Sequence, residues 1–89
     1  MYELPLPVWK DKFGWSVANY DDRQWYLKLQ EEIFEAFNAA SMQERAQELT
    51  DVITTCVSYL NALGFDQNDR QELQRAVNSK NAARGYFKD

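Results

Sequence analysis

From Trp15 to Leu63 the chain contains neither glycine nor proline: Pro5 and Pro7 precede that stretch, and the three glycines are Gly14, Gly64 and Gly85. Inside a helix, glycine costs about 1 kcal/mol and proline about 3 kcal/mol relative to alanine, so a long run without either favours long helices. The apolar spacing agrees. Trp25, Tyr26, Leu29, Ile33, Ala36, Phe37 and Ala40 form one helical stripe, Leu49, Val52, Ile53, Cys56, Leu60 and Leu63 form another, and strand-like alternation is absent. Asp21 or Asp22 is placed to cap the first long helix, and Ser41 with Glu44 spells a capping box for the second. Gly64 closes that helix, Asp66 or Asn68 opens a third, and Gly85 stops it. The spacing predicts an all-α fold: a small antiparallel bundle of about three to four helices, with residues 1–89 as one domain and 1–20 as an irregular or short-helix N-terminal segment.

Eighty-nine residues bury only about two-thirds of the unfolded surface, so association with further copies would help such a chain. Hydrophobic residues at 45% and charged residues at 27% suffice for a packed core and are too apolar for a disordered acidic tail. The formal charge of -4 argues against nucleic-acid polymers and anionic membranes, which are bound chiefly through Lys and Arg. The chain has no His, which removes Ser-His and Cys-His catalysis and imidazole metal sites together. The single Cys56, at the centre of an apolar stripe, is expected in the core. A cytoplasmic location is expected, since neither a secretory leader nor a membrane-spanning run is evident.

Carboxylates remain as the acid/base groups, and they come in two clusters: Glu31, Glu32 and Glu35 on the first long helix, Glu48 and Asp51 on the second. At about 100° per residue, Glu35 lies about 60° from Glu32, and Asp51 about 60° from Glu48 in the same sense, each pair bordering its apolar stripe. If the stripes pack antiparallel about a turn between Ser41 and Met42, Glu35 faces Glu48 and Glu32 faces Asp51. Like charges repel by about 1 kcal/mol per pair at 4 Å in water and about 4 kcal/mol at an effective dielectric of 20, so a cation is required among them. Oxygen donors without His or Cys select Mg²⁺ or Mn²⁺, with Ca²⁺ an option if more ligands gather. The bland alternative is a pair of solvated acidic faces, with Lys28 and Arg45 as salt-bridge partners of Glu31, Glu32 and Glu48.

On the third helix Lys80 and Arg84 extend the stripe of Leu73 and Val77, from where they would reach phosphate oxygens beside a metal, with Asn78 or Asn81 assisting. Equally, the two cations complement the helix dipole near Gly85. Toward the N-terminus Trp9, Phe13 and Trp15 read first as a lid over the helices and second as rings that stack on a nucleobase.

At these residues the chain resembles the MazG-like branch of the all-α nucleoside triphosphate pyrophosphohydrolases, whose motif reads EExxE, a spacer, then ExxD. Glu31-Glu32-Ile33-Phe34-Glu35 and Glu48-Leu49-Thr50-Asp51 match its two parts, and the likeness extends from about Trp25 to Phe87. The resemblance implies a helical bundle that pairs into homodimers or homotetramers. It implies that Glu32, Glu35, Glu48 and Asp51 hold Mg²⁺, that Glu31 supports them or the attacking water, and that Lys80 and Arg84 meet phosphates. It implies hydrolysis of a nucleoside triphosphate between the α and β phosphorus atoms, commonly to remove unwanted nucleotides. Either Glu35 or Glu31 orients or deprotonates the water. Two other readings stay open: hydrolysis of phosphoribosyl-ATP or another modified nucleotide, and a non-catalytic helical interaction module whose acidic edge docks a basic partner.

Overall fold

Helix starts and stops are set by local chemistry. The computed structural model describes Trp9 and residues 20–88, and within them runs α1 (Asp22–Phe37), α2 (Met42–Ala62) and α3 (Gln67–Ala83), with no strand among the described residues. Asp21 and Asp66 each accept from the backbone N–H three residues on, and Gln24 and Asp69 reach back to the cap N–H, closing two capping boxes. Ser41 accepts from Glu44 N–H at 3.1 Å, but the Glu44 carboxylate reaches one residue further, to Ala40 N–H at 3.1 Å. Ser41→Ala is therefore expected to cost about 1 kcal/mol of hairpin stability, read as a lower midpoint in urea.

At the end of α2, Gly64 takes φ 100°, a left-handed backbone that a side chain would strain. Its N–H returns to the Asn61 carbonyl and that of Phe65 to the Leu60 carbonyl, the double closure that stops a helix and sends the chain into α3. α3 is latched there by Arg70, which is 1% exposed: its Nη1 donates to Asn61 Oδ1 at 3.0 Å and to the Phe65 carbonyl at 2.7 Å.

The short connection 38–41 folds α2 back along α1, and this pair forms the main contact of the molecule. The packing corrects the expected meeting of the two apolar stripes. Trp25, Glu32 and Ala36 are buried on α1 and Thr55, Val57 and Ser58 on α2, while Ile33 (51%), Phe37 (81%), Leu49 (51%) and Ile53 (41%) remain exposed. Trp25, the bulkiest side chain at one edge of the α1 stripe, takes the seam: its ring meets Tyr20 edge-on at 5.0 Å and stacks on Tyr59 at 6.0 Å. With that edge inward, the polar flank that carries Glu32 rolls inward too, and Ile33 and Phe37 on α1 and Leu49 and Ile53 on α2 roll out. On α2 the hydroxyls of Thr55 and Ser58 donate along their own helix to the carbonyls of Asp51 and Thr54, so both are buried without an unmet donor.

α3 likewise departs from the expected apolar contact. It buries Arg70 and Asn78 and leaves Leu73 and Val77 exposed, and the contact that latches it to α2 is the polar one from Arg70 to Asn61. No helix among the described residues is long and apolar enough to cross a membrane.

Candidate metal centre

The seam carries the acids with it. Helix α1 ends at Phe37 and α2 begins at Met42, which puts the midpoint of the connection between Ala39 and Ala40, two residues earlier than the spacing of the clusters suggests. Counted outward from that midpoint, Glu35 stands level with Glu44, and Glu32 level with Gln47, beside Glu48. Side chains lean toward the N-terminus of their own helix, so Glu32 leans away from the connection while Glu48 and Asp51 lean toward it. Glu32, Glu48 and Asp51 accordingly converge, each offering a carboxylate oxygen within 4.8 Å of the others. Glu35 is exposed at the rim, outside that group, and Glu31 is exposed one position further round α1.

Electrostatics mark these groups as under strain from one another. Partial desolvation and then the charge of Glu32 hold the Asp51 carboxyl above its ordinary pKa, with Lys28 opposing. Glu35 is raised in the same way, by desolvation and then by Glu32, Glu48 and Glu31. Glu32 is buried, and Lys28 reaches it with a 3.0 Å ion pair while lying 3.9 Å from Glu31. Burial by itself would lower the Lys28 pKa; its hydrogen bond to Glu32 and the charges of Glu32 and Glu31 outweigh that and raise it. Arg45, the other expected salt-bridge partner, instead donates its Nε to the Ala36 carbonyl at 3.3 Å.

One oxygen decides whether this set suits a cation. Glu48 Oε2 is buried and has no hydrogen-bond partner, a costly state for a carboxylate oxygen unless a cation meets it. Three hard oxygen donors with no nitrogen or sulfur among them fit Mg²⁺ or Mn²⁺, which keep further positions for water and phosphate. Metal would be held by Glu32, Glu48 and Asp51, with Glu35 and Glu31 at the mouth.

The other sequence candidates are on α3 or at its end, at Trp9, or outside the described residues. Lys80 and Arg84 are exposed at the C-terminal end of α3, and Asn81 is half-buried there. Trp9 is half-buried on α2: its backbone N–H donates to Ser58 Oγ at 2.7 Å and its indole Nε1 to Thr55 Oγ1 at 2.9 Å. This places it one helical turn along α2 from Asp51. Phe13 and Trp15 lie outside the described residues. Cys56 is half-buried, at the margin of the core and not within it, and burial raises its thiol pKa. Thr55 and Ser58, which carry Trp9, do not stand out in the sequence; two hydroxyls on the side of α2 that continues Asp51 are the available signal.

Beside the acids, a polar hollow of about 210 Å³ is lined by Tyr20, Gln24, Leu27, Lys28 and Glu31. On the outward side, an apolar groove of about 340 Å³ is lined by Ile33, Ala36, Phe37, Arg45, Leu49 and Val52. No family model, no curated protein and no solved structure matches the chain.

Proposed function

We propose that the chain is a Mg²⁺-dependent nucleotide pyrophosphohydrolase of the MazG-like kind, cleaving a nucleoside triphosphate between the α and β phosphorus atoms. The observation that carries this reading is the convergence of Glu32, Glu48 and Asp51, with the buried Glu48 Oε2 unmet inside it. Mg²⁺, or Mn²⁺ in its place, would neutralise the triphosphate and act as Lewis acid and template when bound. The chain's own share is to hold that charge in a fixed place and to bring a base to the water. Glu35 suits the role of base, since it stands at the rim and its raised pKa moves it toward the range useful to a proton acceptor. Glu31, exposed beside it, is the second candidate. Lys80, Arg84 and Asn81 would meet phosphate oxygens on the approach, delivered by α3.

The same reading includes a homodimer or homotetramer. Among the described residues only Trp25, Ala36 and Val57 are buried apolar side chains, a small core for a domain this size. Ile33, Phe37, Leu49 and Ile53 lie outward on the same two helices, and pairing them with a second copy would complete a four-helix core.

The test is release of pyrophosphate from a panel of canonical and modified nucleoside triphosphates and phosphoribosyl-ATP, with Mg²⁺ present and then chelated. Metal-dependent pyrophosphate release is expected from at least one member, and that member names the substrate class. No turnover on any of them would favour a non-catalytic interaction module.

A further inference from the structure

Lys28 stands on the carboxylate that the acid cluster needs. Its ammonium is 3.0 Å from Glu32 Oε1 and 3.9 Å from Glu31 Oε1, its side chain is only 15% exposed, and its charge bears on Asp51 and Glu35 as well. It also forms part of the wall between the acids and the polar hollow lined by Tyr20, Gln24, Leu27 and Glu31. A lysine offers a compact charge on a flexible four-carbon stem, able to exchange one anionic partner for another without moving its backbone.

We infer that Lys28 is the resident counter-ion of the cleft: in the metal-free protein it neutralises Glu32, and when a divalent cation is held it leaves that carboxylate for the adjoining hollow, where it binds a phosphate group of the nucleotide. The inference rests on the metal-dependent reading above and adds to it a phosphate-binding residue on α1, separate from Lys80 and Arg84 on α3. Two features give the exchange a direction. A monovalent ammonium and a divalent ion repel each other across one carboxylate, so the arrival of the second weakens the hold of the first. The hollow next to it already contains Glu31, so Lys28 moving there keeps one carboxylate neighbour while it gains an anionic ligand. Tethering the displaced charge beside the cleft also links metal and nucleotide. The ion frees the lysine, and a phosphate that captures the lysine keeps it from competing for Glu32.

The test uses the whole chain and Mn²⁺ as the probe. Mn²⁺ binding is followed by electron paramagnetic resonance of the free ion for the wild type, Lys28→Gln and Lys28→Arg, with helical circular dichroism as a check on folding. Affinity for an α,β-imido nucleoside triphosphate is then measured at saturating Mn²⁺. Lys28→Gln is expected to bind Mn²⁺ about tenfold more tightly and the nucleotide about tenfold more weakly, with Lys28→Arg near the wild type in both. A measurement on the unaltered protein covers the case in which Lys28→Gln fails to fold. Acetylation of Lys28 by acetic anhydride, read by mass spectrometry, should quicken on adding Mn²⁺ and slow again on adding the nucleotide analogue. Mn²⁺ affinity unchanged or weaker in Lys28→Gln, or acetylation indifferent to Mn²⁺, overturns the exchange and leaves the metal centre standing. A wild-type protein that takes up no Mn²⁺ overturns the metal centre and the exchange together.

Discussion

Asp51→Asn is expected to lower turnover by two to three orders of magnitude while raising the thermal stability of the metal-free protein. The loss follows from the ligand set: a bound ion supplies several kcal/mol of transition-state charge stabilisation, and each 1.36 kcal/mol is tenfold in rate. Removing one of three converging carboxylates forfeits much of that. The gain in stability follows from linkage. Desolvation and the neighbouring charge of Glu32 raise the Asp51 pKa in the folded state. A carboxyl whose folded pKa lies above its unfolded value contributes stability that is fully present below the unfolded value and lost as pH rises through the folded one. At pH 7 with the metal chelated, the ionised Asp51 is thus a cost that the amide does not carry. Melting curves in chelator should place Asp51→Asn above the wild type at pH 7, with the gap narrowing as pH falls through the carboxylate range. A variant that keeps wild-type turnover would remove Asp51 from the centre. One that melts lower at pH 7 would show the carboxylate to be a structural partner instead.

Trp25→Ala is expected to unfold the chain. Truncating a buried Trp costs about 3–5 kcal/mol, and whole domains are stable by only about 5–15 kcal/mol, with a chain of this size near the lower end. Trp25 is 3% exposed, bridges Tyr20 and Tyr59, and is one of three buried apolar side chains among the described residues, so no other contact compensates for it. The expected readout is loss of the helical circular dichroism signal and of a cooperative melt. Trp25→Phe should be far milder, below about 2 kcal/mol. The indole Nε1 is buried without a hydrogen-bond partner, and replacing it by a ring with no donor removes that desolvation penalty, which offsets part of the lost volume. A folded Trp25→Ala protein would mean that the pairing of α1 with α2 does not depend on this ring.

The helix caps and the stops of α2 and α3 were legible because they depend on neighbours in sequence, whereas α1 ends at Phe37, short of the Ala40 included in its stripe. Asp21, Ser41 and Asp66 meet backbone groups three residues away, and Gly64 and Gly85 supply the positive φ that stops α2 and α3. The i, i+3 spacing of Glu48 and Asp51 was legible for the same reason, and so was the reach from Lys28 to Glu32. The roll of α1 against α2 was not. An amphipathic stripe states how much of a helix avoids water, not which edge of it the same chain will cover, and here Trp25 decided in favour of the edge next to Glu32. The register moved as well, since the connection is centred on Ala39 and Ala40; that shift brings Glu48 and Asp51 to Glu32 and leaves Glu35 beside them. For α3, Leu73 and Val77 pointed to an apolar contact, yet both are exposed and Arg70 makes the contact with α2. A buried guanidinium held by an amide and a carbonyl leaves no periodic trace in sequence.

That manner of holding α3 divides the molecule into unequal thermodynamic compartments. Among the described residues α1 and α2 form the main contact, whereas α3 meets α2 chiefly through Arg70 near its first turn and buries Asn78 toward its other end. Detaching it forfeits a few polar contacts and little buried hydrocarbon, so its opening free energy is a fraction of the global one. Lys80 and Arg84 lie beyond Asn78 at the last stretch of that helix, so whatever opens α3 moves them with it, while the acids belong to the more stable hairpin.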